Sequence, residues 1–462
     1  MPIAPSRLSL LTDLYELTMA AGYFERRLEA RATFALFVRS LPPRRGFLLA
    51  CGIEAALDYI EQLSFSGEEI GYLRQLPAFR TVSSRFFDFL GRLRFEGDVA
   101  AVAEGTAVFA GEPILQISAP IIQAQIVETY LLSVVNFETL IATKAARVVE
   151  AAAGRDVVEF GTRRAQGPEA GLRAARAAYL GGCAGTSNVL AGFRWGIPIA
   201  GTAAHSWTQA FPSERESFEA LLKTFPQSAY LLLDTYDTLA AARMAAEFDV
   251  PIPGVRLDSG DLAALSREVR KILDRGGHRE TKIMASGNLN EDKVAALVAA
   301  GTPIDSFGVG TELATSHDAP ALNAIYKLVE IEAQGRIRPI TKTEEGKGYF
   351  PGKKQVFRFS RSGRFDHDVL ARSDEPITGA RPLLQPVMRS GKRLQAAAAA
   401  QTIRAHAREQ VQSLPEGVRA LRNATAYRVE PSAALQELDA GVRKALGEPK
   451  NHERSAAGIS RH

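Results

Sequence analysis

Three consecutive stretches decide the fold: AYLLLDTYDTLAAARMAAEF at 229–248, GVRLDSGDLAALSREVRKILDRGG at 254–277 and TKIMASGNLNEDKVAALVAAG at 281–301. Each opens on a short apolar run, passes through a polar turn, and continues with apolar residues at helical spacing. Short strands that alternate with helices of this length form parallel βα units. The same alternation extends outward. Upstream, RDVVEFG (155–161) precedes PEAGLRAARAAYLGG (168–182), and IPIAG (197–201) precedes ERESFEALLKTF (214–225). Downstream, IDSFGVG (304–310) and NAIYKLVEI (323–331) close the series.

Polar or small residues follow nearly every apolar run: Arg163 and Arg164, His205, Asp234 and Asp237, Asp258 and Asp261, Ser286 and Asn288, Gly308 and Gly310. A doubly wound sheet gathers its site at one switch point. A (β/α) barrel builds it from the C-terminal ends of many strands. The spread predicts an irregular (β/α) barrel over 121–330, entered by a long helix at 122–153. An N-terminal α+β domain (1–120) precedes it and a smaller C-terminal region (331–462) follows. In the first part a helix is expected at 13–24, a strand in ATFALFVRSLP (32–42) and a helix in GIEAALDYIEQL (52–63). FEGDVAAVAEGTAVFAGEPILQISAP (95–120) reads as a small antiparallel unit. In the last part TKTEEGKGYFPGKKQVFRFS (341–360) reads as hairpin-like, the alanine-rich stretch around 396–400 as helical, and the tail 447–462 as disordered.

Composition narrows the function. The chain has 462 residues, about three units' worth, and needs no disulfide or metal to stabilise its core. Lys and Arg number 56 against 52 acidic residues, too even a balance for a nucleic-acid footprint. The two cysteines, Cys51 and Cys183, form no zinc motif and point to a reducing, cytoplasmic setting. Asp13 and Glu16 interrupt the apolar start, and Gln116, Gln123, Gln125 and Glu128 interrupt the run at 113–135, so neither an export signal nor a membrane span is expected.

Several residues can carry chemistry. Arg163 and Arg164 follow a buried strand, where forked guanidinium donors suit phosphate; a solvated arginine pair is the plainer reading. GGCAGTSN can cradle an anion or simply turn tightly. No GxxxxGK[ST] loop exists. His205 is the best placed of the seven histidines, as a structural group or as an acid, base or nucleophile. Arg256 and Asp258 share one strand face, as a structural ion pair or as a charge that steadies a cation and ribose hydroxyls. A metal held by His205, Asp258 and Asp261 competes, although no tight-site spacing supports it.

Together these segments resemble the nicotinate phosphoribosyltransferases, of type II phosphoribosyltransferase fold. The matching pieces, in family order, are LLTDLYELTMAAGYF (10–24), EFGTRRAQGPEAG (159–171), GGCAGTSNVLAG (181–192), GIPIAGTAAHSW (196–207), GVRLDSGDL (254–262), SGNLNE (286–291) and FGVGTELATS (307–316). PGKKQVFR (351–358) is also family-like. The resemblance implies transfer of phosphoribose from phosphoribosyl pyrophosphate (PRPP) to nicotinate in NAD salvage. It also implies coupling to ATP through a phosphohistidine, and Mg²⁺ accompanying PRPP and pyrophosphate. By the same resemblance Tyr15 and Phe160 sandwich the pyridine, and Arg163 and Arg164 contact phosphate or carboxylate. His205 accepts the phosphoryl group, and Asp258 with Arg256 lines the ribose pocket. Gly287, Asn288, Gly308, Gly310 and Thr311 anchor the 5′-phosphate. A homodimer is implied, with the Asp13–Tyr15 segment of one subunit reaching the other's pocket.

Ser187 bears on the choice of pyridine. Nicotinamide-using relatives carry aspartate at this place in the motif. An aspartate about 4 Å from a nicotinate carboxylate costs ~4 kcal/mol at an effective dielectric near 20. Serine removes that repulsion. The alternatives are a nicotinamide or quinolinate enzyme of the same fold and a metal-dependent barrel hydrolase or lyase. Quinolinate enzymes are shorter and lack the phosphohistidine that GTAAHSW resembles.

Overall fold

The computed structural model describes residues 8–342, 344 and 348–447. Its central sheet consists of six parallel strands: Asp156–Glu159, Gly185–Thr186, Tyr230–Leu232, Gly254–Leu257, Lys282–Ala285 and Ser306–Val309. Each is two to four residues long, and nearly every residue in them is buried. Around the sheet the strands keep chain order, and the last returns to the first through the Ser306–Val309 to Asp156–Glu159 ladder. A doubly wound sheet would reverse its order at a switch point; this one runs round a ring. The expected irregular barrel is thus present, with one seam. IPIAG contributes only the bridge between Thr186 and Ile199, and no ladder among the described residues joins it to Tyr230–Leu232. Pro198 has no N–H to donate, which limits this segment to a single bridge.

NAIYKLVEI departs from the expectation. Its strand, Ala324–Ala333, leaves the barrel and pairs antiparallel with Arg31–Val38. The sequence explains why: Lys327, Glu330 and Glu332 would be buried in a barrel strand, whereas an antiparallel sheet can keep one face toward water. That second sheet has seven strands. Three come from the first 120 residues (Arg31–Val38, Asp98–Ala101, Pro113–Pro120), two from Ala324–Ala333 and Arg336–Pro339, and two from Gln385–Arg389 and Lys392–Arg393. Positions 120 and 330 therefore mark the chain rather than edges in space. The antiparallel unit expected at 95–120 forms, with Asp98–Ala101 against Ser118–Leu115.

The long helix is two pieces, Ile121–Gln125 and Glu128–Ala151. By length and composition 121–151 is apolar enough to cross a membrane, but 67% of its most apolar window lies inside the protein. It also carries buried charges, which a core tolerates only when they are paired. Lys144 reaches Asp318 at 2.7 Å and Glu291, Arg147 reaches Glu291 at 3.1 Å, and Glu138 accepts from Arg173 and Arg176 at 2.9 Å. These ties fix the long helix to the barrel's helices and to the loop at Asp318.

In the last third the hairpin lies later than expected: Lys354–Arg361 pairs with Arg364–Arg372. The alanine-rich helix starts only at Ala400, with Ala399 as its cap, and runs to Ser413. Ala400, Ile403, Ala407 and Val411 pack into the barrel's core. The tail from 448 lies outside the described residues.

Candidate active site

The C-terminal ends of the barrel strands converge on Arg256. This residue lies on Gly254–Leu257, and its guanidinium has three hydrogen-bond partners. Nε donates to Ser286 Oγ at 2.7 Å, Nη1 to Thr202 Oγ1 at 2.8 Å and Nη2 to Asp258 Oδ1 at 2.5 Å. The Phe160 ring centroid lies 5.8 Å from its guanidinium carbon. Ser286 also donates to Asp258 Oδ1, at 2.5 Å. Burial disfavours the Asp258 carboxylate, but the Ser286 hydroxyl, Arg256 and the nearby His205 outweigh it and hold the group below the usual carboxylate range. One strand pair thus presents a fixed anion beside a fixed cation.

His205 opens the short helix His205–Gln209, on the loop that follows Ile199. Its Nδ1 lies 3.2 Å from Thr235 Oγ1, which spans the open seam to the end of the next strand. Against that seam lies a cavity of about 570 Å³, lined in part by Thr202, Ala204, Trp207, Phe225 and Tyr230.

Phe160 and Gly161 continue from Asp156–Glu159 into the turn Thr162–Arg164, which exposes Arg163 and Arg164. Ser187 follows the neighbouring strand, and its N–H donates to the Glu159 carbonyl at 3.0 Å. Asn188 caps the helix Val189–Trp195. Gly287 and Asn288 turn away from Lys282–Ala285 with φ of 92° and 49°, and a Cβ at 287 would meet the Asp258 carbonyl oxygen at 1.8 Å. Only glycine fits there. Gly308 lies beneath the Phe160 ring, and Gly310 and Thr311 begin the turn Thr311–Ala314.

Within one chain Tyr15 stands apart from this group. It lies on the helix Leu14–Glu25, about half exposed, beside Asp13, Glu16 and Glu128. Desolvation and those carboxylates push its phenol up to about 12. Asp261 caps the helix Leu262–Arg275, accepting from the Ala263 and Ala264 N–H groups at 3.1 Å. His205, Asp258 and Asp261 form no metal-holding group, and no group of three or more such ligands occurs among the described residues.

Three partners escaped the sequence reading as site residues: Thr202, Thr235 and Glu159. The threonines look like ordinary loop residues, and only Arg256 and His205 give them meaning. Glu159 did leave a signal, an acid ending the apolar run VVEF.

Comparison with known proteins identifies the family. The chain matches the nicotinate phosphoribosyltransferase N-terminal domain at residues 10–136, the nicotinate phosphoribosyltransferase family at 156–348 and the C-terminal domain at 377–439. It is 46% identical over 424 residues to nicotinate phosphoribosyltransferase pncB2 of Mycobacterium tuberculosis (strain H37Rv), covering 90% of this chain and 89% of that one. It is 41% identical over 388 residues to the nicotinate phosphoribosyltransferase of Bacillus subtilis (strain 168), covering 81% and 78%. The crystal structure of human nicotinic acid phosphoribosyltransferase superposes with a TM-score of 0.82 at 30% identity, covering 95% of this chain and all of that one. Matches of this length place the chain in the nicotinate phosphoribosyltransferase family.

Proposed function

We propose that the protein transfers phosphoribose from PRPP to nicotinate, giving nicotinate mononucleotide and pyrophosphate, with ATP hydrolysis coupled through His205. The Arg256–Asp258 pair carries this reading. The pyridine nitrogen forms the new bond to C1′ as the C1′–oxygen bond to pyrophosphate breaks, so no side chain acts as nucleophile toward the sugar. Positive charge develops at C1′, and a carboxylate fixed in the ionised state stabilises it without reorganising. Arg256 holds that carboxylate, and the Phe160 ring beside it offers a face for the pyridine.

Mg²⁺ would enter with PRPP and neutralise the departing pyrophosphate. The rim fits a cation shared with phosphate: it has no all-protein cage among the described residues, but Asp234 leaves Oδ1 buried without a hydrogen-bond partner. Arg163 and Arg164 are exposed beside Phe160 and favour an anionic pyridine, while Ser187 places no negative charge against it. His205 has one ring nitrogen engaged by Thr235, which leaves the other without a hydrogen-bond partner among the described residues. Phosphorylation there adds strong acceptors to the loop that also carries Thr202.

A homodimer completes the site by bringing the partner's N-terminal segment to Phe160. Exposed Leu11, Leu14 and Tyr15 on that segment, and Val189 and Phe193 on the helix beside Ser187, are the apolar surfaces that would meet. The buried free thiols Cys51 and Cys183 accord with a cytoplasmic enzyme. A His205→Ala variant tests the coupling. ATP should accelerate product formation in the wild type and leave the variant at its ATP-free rate; equal stimulation of both would refute the role of His205.

A further inference from the structure

One carboxylate ties the turn bearing Phe160, Arg163 and Arg164 to the turn bearing Ser187. Glu159 ends its strand and is fully buried. Its Oε1 accepts the Gly161 N–H, and its Oε2 accepts the Thr186 hydroxyl at 2.6 Å. Thr186 Oγ1 accepts the Asn188 N–H at 3.0 Å, and the Asn188 amide donates to Thr162 Oγ1 at 3.1 Å. The chain of bonds closes on itself from 159 through 161–162, 188 and 186. Gly161 makes the close approach feasible, since a Cβ there would lie 2.9 Å from Glu159 Oε1 and 2.3 Å from Ala314 Cβ.

Burial pushes the Glu159 carboxyl above its usual range, against the Thr186 and Gly161 hydrogen bonds and the charge of Arg163. Among the described residues no Lys or Arg forms an ion pair with it, unlike Glu104, Glu138 and Glu291, which are buried with cationic partners. A buried acid without a counter-ion is costly for the fold, so packing alone does not account for it.

We propose that Glu159 is a positioning residue for the pyridine substrate: by holding both turns it sets the spacing between Phe160 and Arg163 on one side and Ser187 on the other. The proposal rests on the phosphoribosyl-transfer reading above. It separates the two substrates, because the Arg256–Asp258 pair and the Gly287–Asn288 turn assigned to PRPP belong to other strands.

Steady-state kinetics of Thr186→Val, Glu159→Gln and Glu159→Ala test it. Thr186→Val keeps the side-chain shape and removes both bonds of the hydroxyl, the one to Glu159 and the one from the Asn188 N–H. It should raise KM for nicotinate about tenfold, the loss expected of one hydrogen bond to a charged group, and leave KM for PRPP within about twofold. Glu159→Ala should exceed that effect. Glu159→Gln, which keeps an acceptor for the Gly161 N–H, should recover part of it. If Glu159→Ala does not fold, Thr186→Val decides alone. Equal rises in both KM values, or no change in either, would overturn the positioning role while leaving phosphoribosyl transfer intact. A wild type that makes no nicotinate mononucleotide would refute the transfer reading itself, and this role with it.

Discussion

Replacing Gly308 by alanine tests whether the barrel wall sets the place of Phe160. Gly308 lies within Ser306–Val309 and is buried beneath that ring. A Cβ there would lie 2.6 Å from both Cδ2 and Cε2 of Phe160 and 3.4 Å from Ser286 Cβ. Carbon atoms in contact settle about 3.5–4.0 Å apart. The ring must therefore retreat by roughly 1 Å or swing away, and overpacking of this kind costs about 1–3 kcal/mol of stability. A displacement of about 1 Å at a reacting centre costs on the order of a hundredfold in rate. Gly308→Ala should accordingly lower kcat/KM for nicotinate about a hundredfold, with a smaller effect on KM for PRPP and a modest fall in Tm. Gly71→Ala is the control: it lies on the helix Gly67–Gln75 with no atom within 4 Å of its Cβ, so its kinetics should match the wild type. A Gly308→Ala enzyme with unchanged kcat/KM would refute the reasoning.

Two further perturbations follow from the same structure. Arg256→Lys keeps the charge but cannot reach Thr202, Ser286 and Asp258 with one planar fork; kcat/KM for PRPP should fall by about ten- to a hundredfold, and steady-state kinetics check it. Lys354 is buried, with Nζ donating to the Phe350 and Gly352 carbonyls at 2.8 and 2.7 Å, and burial pushes its ammonium down to about 7. Its folded value lies below its unfolded one, so the unfolded chain binds the extra proton between them. Stability should rise with pH above about 7, by up to about 1.4 kcal/mol per unit, and be lost as pH falls through that value. Lys354→Met should flatten this slope in urea unfolding measured from pH 6 to 9; parallel slopes would contradict it.

The barrel was legible because alternation of apolar runs with helices is a local pattern, and 155–310 carries it throughout. NAIYKLVEI misled because its apolar residues fit a strand of either kind, and only its pairing with Arg31–Val38 decides which. IPIAG failed as a strand because Pro198 cannot donate to the ladder. At the site, Arg256 and Asp258 could be named from their place at a strand end and Phe160 from the family resemblance, and the structure brings them together. Gly308 looked like a backbone anchor, but its packing against the Phe160 ring depends on a contact about 150 residues apart in sequence, which no local pattern encodes. Glu159 was hidden for a similar reason, since its hydrogen bonds reach a neighbouring strand. Tyr15 was legible as a motif residue, yet one chain does not bring it to the barrel.

Product formation from purified protein with PRPP, Mg²⁺ and either nicotinate or nicotinamide tests the central claim most directly, run beside Ser187→Asp. The account predicts nicotinate mononucleotide from nicotinate and no product from nicotinamide in the wild type. It also predicts a loss of nicotinate turnover in the variant approaching a thousandfold, from ~4 kcal/mol of charge repulsion at about 4 Å. Product from nicotinamide in the wild type would contradict the assignment of Ser187, and no consumption of PRPP with either pyridine would contradict the account as a whole.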